Sequence, residues 1–122
     1  MTGNTGASTR SMPHHKLVAY EVALELLEAA VACKLKNADL RQQALRSARS
    51  CCLNIAEAAG RWSLADRARI FQIARGECCE LAAAVEIAGL TGELDPARAL
   101  AVARLSDRLY ALLTGLVRRA GS

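Results

Sequence analysis

From Leu17 onward, apolar residues return at spacings of three and four, the period of a helix, in four successive stretches. Leu17, Tyr20, Leu24, Leu27, Val31 and Leu35 form the first stripe, with Glu21, Glu25, Glu28 and Lys36 on a polar face. This predicts a helix over about 14–36, then a break at Asn37-Ala38-Asp39 in which Asp39 is the expected N-cap. Leu45, Ala48, Cys52, Ile55, Ala59 and Trp62 form the second stripe, on a helix over about 40–60 that Gly60 stops. Ser63, with Asp66 three residues later, opens a third helix over about 64–90. There Leu64, Phe71, Cys78 and Val85 recur every seven residues, interleaved with Ala74, Leu81 and Ala88, before Gly89 and Gly92 end the run. Asp95-Pro96 reads as an N-cap followed by proline at the first helical position. The fourth helix, about 96–119, carries Val102, Leu105, Leu109, Leu112 and Leu116.

Four long helices joined by short turns imply an all-α, antiparallel up-down-up-down bundle, here one domain over residues 13–120. Composition agrees: aromatic residues are 3% of the chain, and Ala, Leu, Arg and Glu dominate, which excludes an all-β fold. Residues 1–12 are rich in Gly, Ser and Thr and read as a disordered leader without the apolar run of a signal peptide. No stretch approaches the roughly 18 apolar residues needed to span a bilayer.

Two helices look apolar on more than one side. Val18, Val22, Leu26 and Cys33 form a second stripe on the first helix, and Tyr110, Leu113 and Val117 do so on the fourth. In an antiparallel bundle these helices are neighbours, so the surplus faces are expected to join into a self-association surface. The alternative is a wide core stripe within one chain.

The net charge of +4 is unevenly placed. Residues 40–75 carry seven Arg against Glu57 and Asp66, an excess of +5, while the flanking segments are close to neutral. Arg46, Arg49, Arg61, Arg67, Arg69 and Arg75 are the candidate phosphate contacts, because the guanidinium fork matches phosphate oxygens. No aromatic interleaves with them, so any binding is expected to be electrostatic and weak in sequence preference. A solvated basic face is the competing reading.

Five cysteines, four of them in vicinal pairs within helical patterns, fit a reduced cytoplasmic protein better than a disulfide framework. Cys52 and Cys78 fall on core stripes. Neighbours on a helix diverge by about 100°, so Cys51-Cys52 and Cys78-Cys79 are poor metal ligands. No metal or other cofactor is expected. The two histidines sit at the entrance to the first helix, and no triad, Walker or dinucleotide motif is present, so the chain does not read as an enzyme. Trp62 and Phe71 read as core plugs.

Arg46-Ser47-Ala48-Arg49-Ser50, Asn54-Ile55-Ala56-Glu57-Ala58, Gly60-Arg61-Trp62-Ser63, Phe71-Gln72-Ile73-Ala74-Arg75-Gly76 and Glu80-Leu81 together resemble one family. It is the four-helix-bundle family encoded in intervening sequences of bacterial 23S ribosomal RNA. The family pattern reads R-x-A-x-S, N-I-A-E-G, G-R-x-S and I-A-x-G-S-x-x-E-L. Ala58 stands where that pattern has Gly, and Glu77 where it has Ser. The resemblance implies a homopentameric barrel of bundles rather than an enzyme. It also implies kinship with the accessory variability determinant of diversity-generating retroelements, which works beside a reverse transcriptase and binds nucleic acid.

Within the motif, Asn54, Glu57 and Arg61 share a helical face, and Glu57 to Arg61 has the favourable i,i+4 orientation. Read structurally, they form a network with Ser63 and Glu80 that fixes the second helix to the turn and to the third. Read functionally, they are a polar contact surface. The expected function is a non-catalytic, cytoplasmic, homo-oligomeric adaptor that binds RNA, DNA or a nucleic-acid enzyme such as a reverse transcriptase, with no membrane association. The rival is a purely structural or protein-interaction module whose arginines only solubilise it.

Overall fold

A computed structural model describes residues 11–121 of the chain; residues 1–10, most of the expected leader, lie outside the described residues. A 3-10 turn, Pro13–Lys16, precedes α1 (Val18–Ala32), α2 (Ala38–Gly60), α3 (Leu64–Leu90) and α4 (Pro96–Gly121). No strand occurs among the described residues. α2 packs along α3 and α3 along α4, while the shorter α1 closes the bundle against α2 and α4.

Local chemistry sets the helix ends. α1 does not reach back to His14, because Leu17 is extended (φ −96°, ψ 125°) and separates it from the 3-10 turn. Nor does it continue to Lys36. Lys34 adopts a left-handed conformation (φ 48°), which turns Leu35 inward to 3% exposure as a plug under the α1–α2 connection. The N-cap of α2 is Asn37 rather than Asp39: its Oδ1 accepts from Leu40 N at 3.0 Å. Ser63 caps α3 as expected, accepting from Asp66 N at 3.1 Å. Gly92, at φ 75°, ends the α3 run where Glu93 N donates back to Ala88 O at 2.9 Å. Asp95 Oδ1 accepts from Arg98 N at the start of α4. Two contacts tie the connections at this end together: Asn37 N donates to Glu93 Oε1 at 2.7 Å, and Arg98 Nη1 donates to Ala32 O at 2.8 Å.

The core runs the length of the bundle and is built largely from small residues. Ile55, Ile70, Leu81, Leu109 and Leu113 are its larger members, packed among Ala44, Ala48, Ala58, Ala74, Ala84 and Ala88. On α1 the inward face is Ala19, Val22, Ala23, Leu26 and Ala30. Val22 and Leu26, expected to face another subunit, are each 1% exposed, and Leu113 is fully buried. They belong to the bundle's own core. Three alanines mark this inward face of α1, whereas the larger leucines Leu24 and Leu27 lie half-buried at its flanks. Both stripes meet the core, and side-chain size alone does not show which of them lies deepest. Val18 and Tyr110 do remain exposed, and Val117 is partly buried against the core.

The helical period fails at the α2–α3 connection. Trp62 is 98% exposed and Leu64 55% exposed, so neither is a core residue, whereas Phe71 is buried as expected. α2 stops at Gly60, and Arg61 is extended (φ −77°, ψ 147°), so Trp62 no longer projects along the stripe that ends at Ala59.

Candidate nucleic-acid interface

The polar residues of the motif region separate into two groups. The first is a ladder between α2 and α3. Arg46 donates to both oxygens of Glu77 at 3.2 Å and to Glu80 Oε2 at 2.8 Å. Ser50 Oγ donates to Glu77 Oε2 at 2.7 Å, and Gln43 Nε2 donates to Glu80 Oε2 at 2.8 Å. Ser47, fully buried, reaches Glu80 at 3.4 Å. Asn54 joins by donating to the Ser50 carbonyl and hydroxyl. That explains a mid-helix asparagine: its amide is satisfied one turn back and steadies the serine that binds Glu77. Burial raises the Glu77 pKa. The hydrogen bonds from Ser50 and Arg46 and the Arg46 charge outweigh it, holding the carboxyl below its ordinary range.

The second group lies on the surface of the connection. Glu57 and Arg61 form their i,i+4 ion pair, and Arg67 Nε donates to the Arg61 carbonyl at 2.8 Å. Glu80 takes no part in it. The single network expected from Asn54, Glu57, Arg61, Ser63 and Glu80 is therefore two, because the ladder and the connection occupy different stretches of α2.

The six candidate arginines do not form one surface. Arg46 is committed to the ladder. Arg75 lies across the Tyr110 ring, its guanidinium carbon 4.3 Å from the centroid, and donates to the Tyr110 hydroxyl. Arg69 pairs with Asp66 at 3.6 Å. Arg49 is exposed on the outward side of α2, with no ion pair among the described residues.

What the fold does gather is an end of the bundle. Antiparallel packing brings the start of α1, the α2–α3 connection and the end of α4 together. Residues 11–21, 57–69 and 115–121 carry Lys16, Arg61, Arg67, Arg69, Arg118 and Arg119 against Glu21, Glu57 and Asp66, a net +3. At the opposite end, residues 30–42 and 86–98 carry Lys34, Lys36, Arg41 and Arg98 against Asp39, Glu86, Glu93 and Asp95, a net of zero. Lys16 and Arg67 line one groove of about 350 Å³ at the basic end, floored by Ala59, Phe71 and Leu116. Lys16 and Arg119 line a smaller groove beside it, about 190 Å³. Lys16, Arg118 and Arg119 were not among the residues singled out from sequence. Their grouping with Arg61 and Arg67 depends on segments far apart in the chain.

The family model described as 23S rRNA-intervening sequence protein matches residues 15–115. The chain belongs to this family. Among curated proteins none is significantly similar to it. In this member of the 23S rRNA-intervening sequence family, the position where the pattern has Ser is the centre of the ladder, Glu77. The position where it has Gly is Ala58, fully buried against the core.

The described residues show no cluster of three or more His, Cys, Asp or Glu placed to hold a metal ion. No helix among them is long and apolar enough to cross a membrane. All five cysteines are free; Cys33, Cys51, Cys52 and Cys78 are buried and Cys79 is exposed.

Proposed function

We propose that the chain is a non-catalytic helical-bundle adaptor that assembles with copies of itself and binds nucleic acid through phosphates, alone or beside a nucleic-acid enzyme such as a reverse transcriptase. The observation that carries this reading is the asymmetry of charge between the two ends of the bundle. Six cations converge at one end against three acids. In a ring of copies, such as the pentamer that the resemblance implies, that end would be repeated and its potential summed. The non-catalytic part of the reading is supported by the ladder, whose carboxylates are engaged by Arg46, Gln43 and the Ser50 hydroxyl in a contact that joins α2 to α3. Five free thiols favour a reducing compartment such as the cytoplasm.

One observation favours a second reading, a structural or protein-interaction module. Arg46, Arg61, Arg69 and Arg75 all have partners within the chain, which lowers the number of cations free for phosphate. Electrophoretic titration with generic RNA and DNA at low and moderate salt separates the two. Phosphate-driven binding weakens steeply as salt rises, and a charge-reversing Arg67→Glu with Lys16→Glu abolishes it. Absence of binding at low salt favours the rival.

A further inference from the structure

We propose that Trp62 is a stacking platform for an unpaired base, so that the basic end takes single-stranded rather than duplex nucleic acid. The inference rests on the phosphate-binding reading and adds what that reading lacks, a group that distinguishes strands.

Trp62 is 98% exposed, the most exposed large apolar residue described. An indole in water is a large unburied apolar surface, and a lone one at a charged site marks a contact. The backbone on either side of it is held in place. Arg61 before it is pinned by Glu57, and the Arg61 carbonyl accepts the Arg67 Nε–H at 2.8 Å. Ser63 after it caps α3. The three-residue connection is thus braced on both sides, while neither an aromatic ring nor a guanidinium covers the indole among the described residues.

The surroundings select the occupant. Arg61 precedes Trp62 in the connection, and Arg67 reaches the same connection while lining the groove that also holds Lys16. The Arg67 Nη groups make no hydrogen bond among the described residues. A strand tracking these cations by its phosphates presents bases on its other side, and every base has a face to stack on an indole. In a duplex those faces are already stacked on each other, which leaves only backbone contacts. An apolar partner docking on the indole would also meet the basic end of the bundle, with its net charge of +3, which is poor complementarity for it.

The chain contains one tryptophan, so its fluorescence reports this residue alone. The full-length protein is titrated at low salt with short oligo(dT), oligo(U) and a blunt DNA duplex. Single strands are expected to quench the indole on saturation, and Trp62→Ala to weaken their binding about tenfold or more with duplex affinity unchanged. Trp62→Phe should restore much of the loss. Circular dichroism should be unaltered, since the residue supports no core contact. Binding of single strands without quenching, or an unchanged affinity in Trp62→Ala, overturns the stacking platform while leaving phosphate binding intact. If no nucleic acid binds at low salt, the parent reading falls and the platform with it. If instead the free protein's emission is blue-shifted and Trp62→Ala dissociates an assembly by light scattering, a second copy covers the indole, and the proposal is wrong.

Discussion

Glu77 shows how much one residue can add to a motif. Its carboxylate receives the Ser50 hydroxyl and two Arg46 nitrogens, with a side chain only 14% exposed. Glu77→Gln keeps the shape and removes the charge, so the α2–α3 contact should lose about 1–3 kcal/mol, read from urea unfolding. The pH dependence has a definite sign. The folded pKa lies below the ordinary 4.5, so the carboxylate's stabilisation is complete above that pH and is lost as pH falls through the folded value. Wild type and Glu77→Gln should therefore converge in stability in acid; a gap that persists there rules out the charge as the cause. The cysteines divide just as clearly. Burial pushes the Cys52 thiol up to about 11 and the Cys78 thiol up to about 12, and raises Cys51 further. Thiol labelling of the native protein near pH 8 should modify Cys79 quickly and the four buried cysteines only as the bundle opens. Rapid modification of Cys52 or Cys78 would contradict their placement in the core.

At the scale of elements, the existence and order of four helices could be read from periodicity and caps, since Ser63, Gly92 and Asp95 act locally. The inward face of α1 could not. Its stripe of Ala19, Val22, Ala23, Leu26 and Ala30 is less hydrophobic by size than the neighbouring leucine stripe, and only the partner helices decide between them. Leu26→Ala should cost about 2–5 kcal/mol of stability, measured by thermal or urea unfolding, with no specific loss of assembly. A variant that unfolds normally but falls apart into monomers would return Leu26 to an interface. The partners of the candidate arginines were hidden for a related reason. Arg46 meets Glu77 and Glu80 across more than thirty positions of sequence, so no spacing rule distinguishes it from Arg49, which has no ion pair among the described residues. Trp62 offered a sharper clue, because a residue beyond the Gly60 stop has left the helical period behind.

For the molecule as a whole, exposed large apolar residues occur on all four helices, and α3 carries the most of them among the described residues: Leu64, Ile73, Ile87 and Leu90. Ile73 and Ile87, 42% and 48% exposed, lie fourteen residues apart and so on nearly the same outward face, with exposed Gly76 and Ala83 between them. Leu90, 85% exposed, extends the face toward the end of the helix. Small residues between branched ones let another helix approach closely, which suits packing of one copy against the next. Fully burying an isoleucine is worth roughly 1.5–3 kcal/mol, so two per copy are enough to matter for the proposed assembly. If the proposed self-assembly uses this face, Ile73→Glu with Ile87→Glu should dissociate it while leaving helical circular dichroism unchanged, because neither side chain supports the core. Val22→Glu with Leu26→Glu should instead destroy helicity, since those residues are each 1% exposed within one chain. Light scattering at micromolar concentration checks the first half and circular dichroism the second. A wild-type monomer in that experiment removes self-association from the proposed function. An assembly that survives both α3 charges puts the interface on another face.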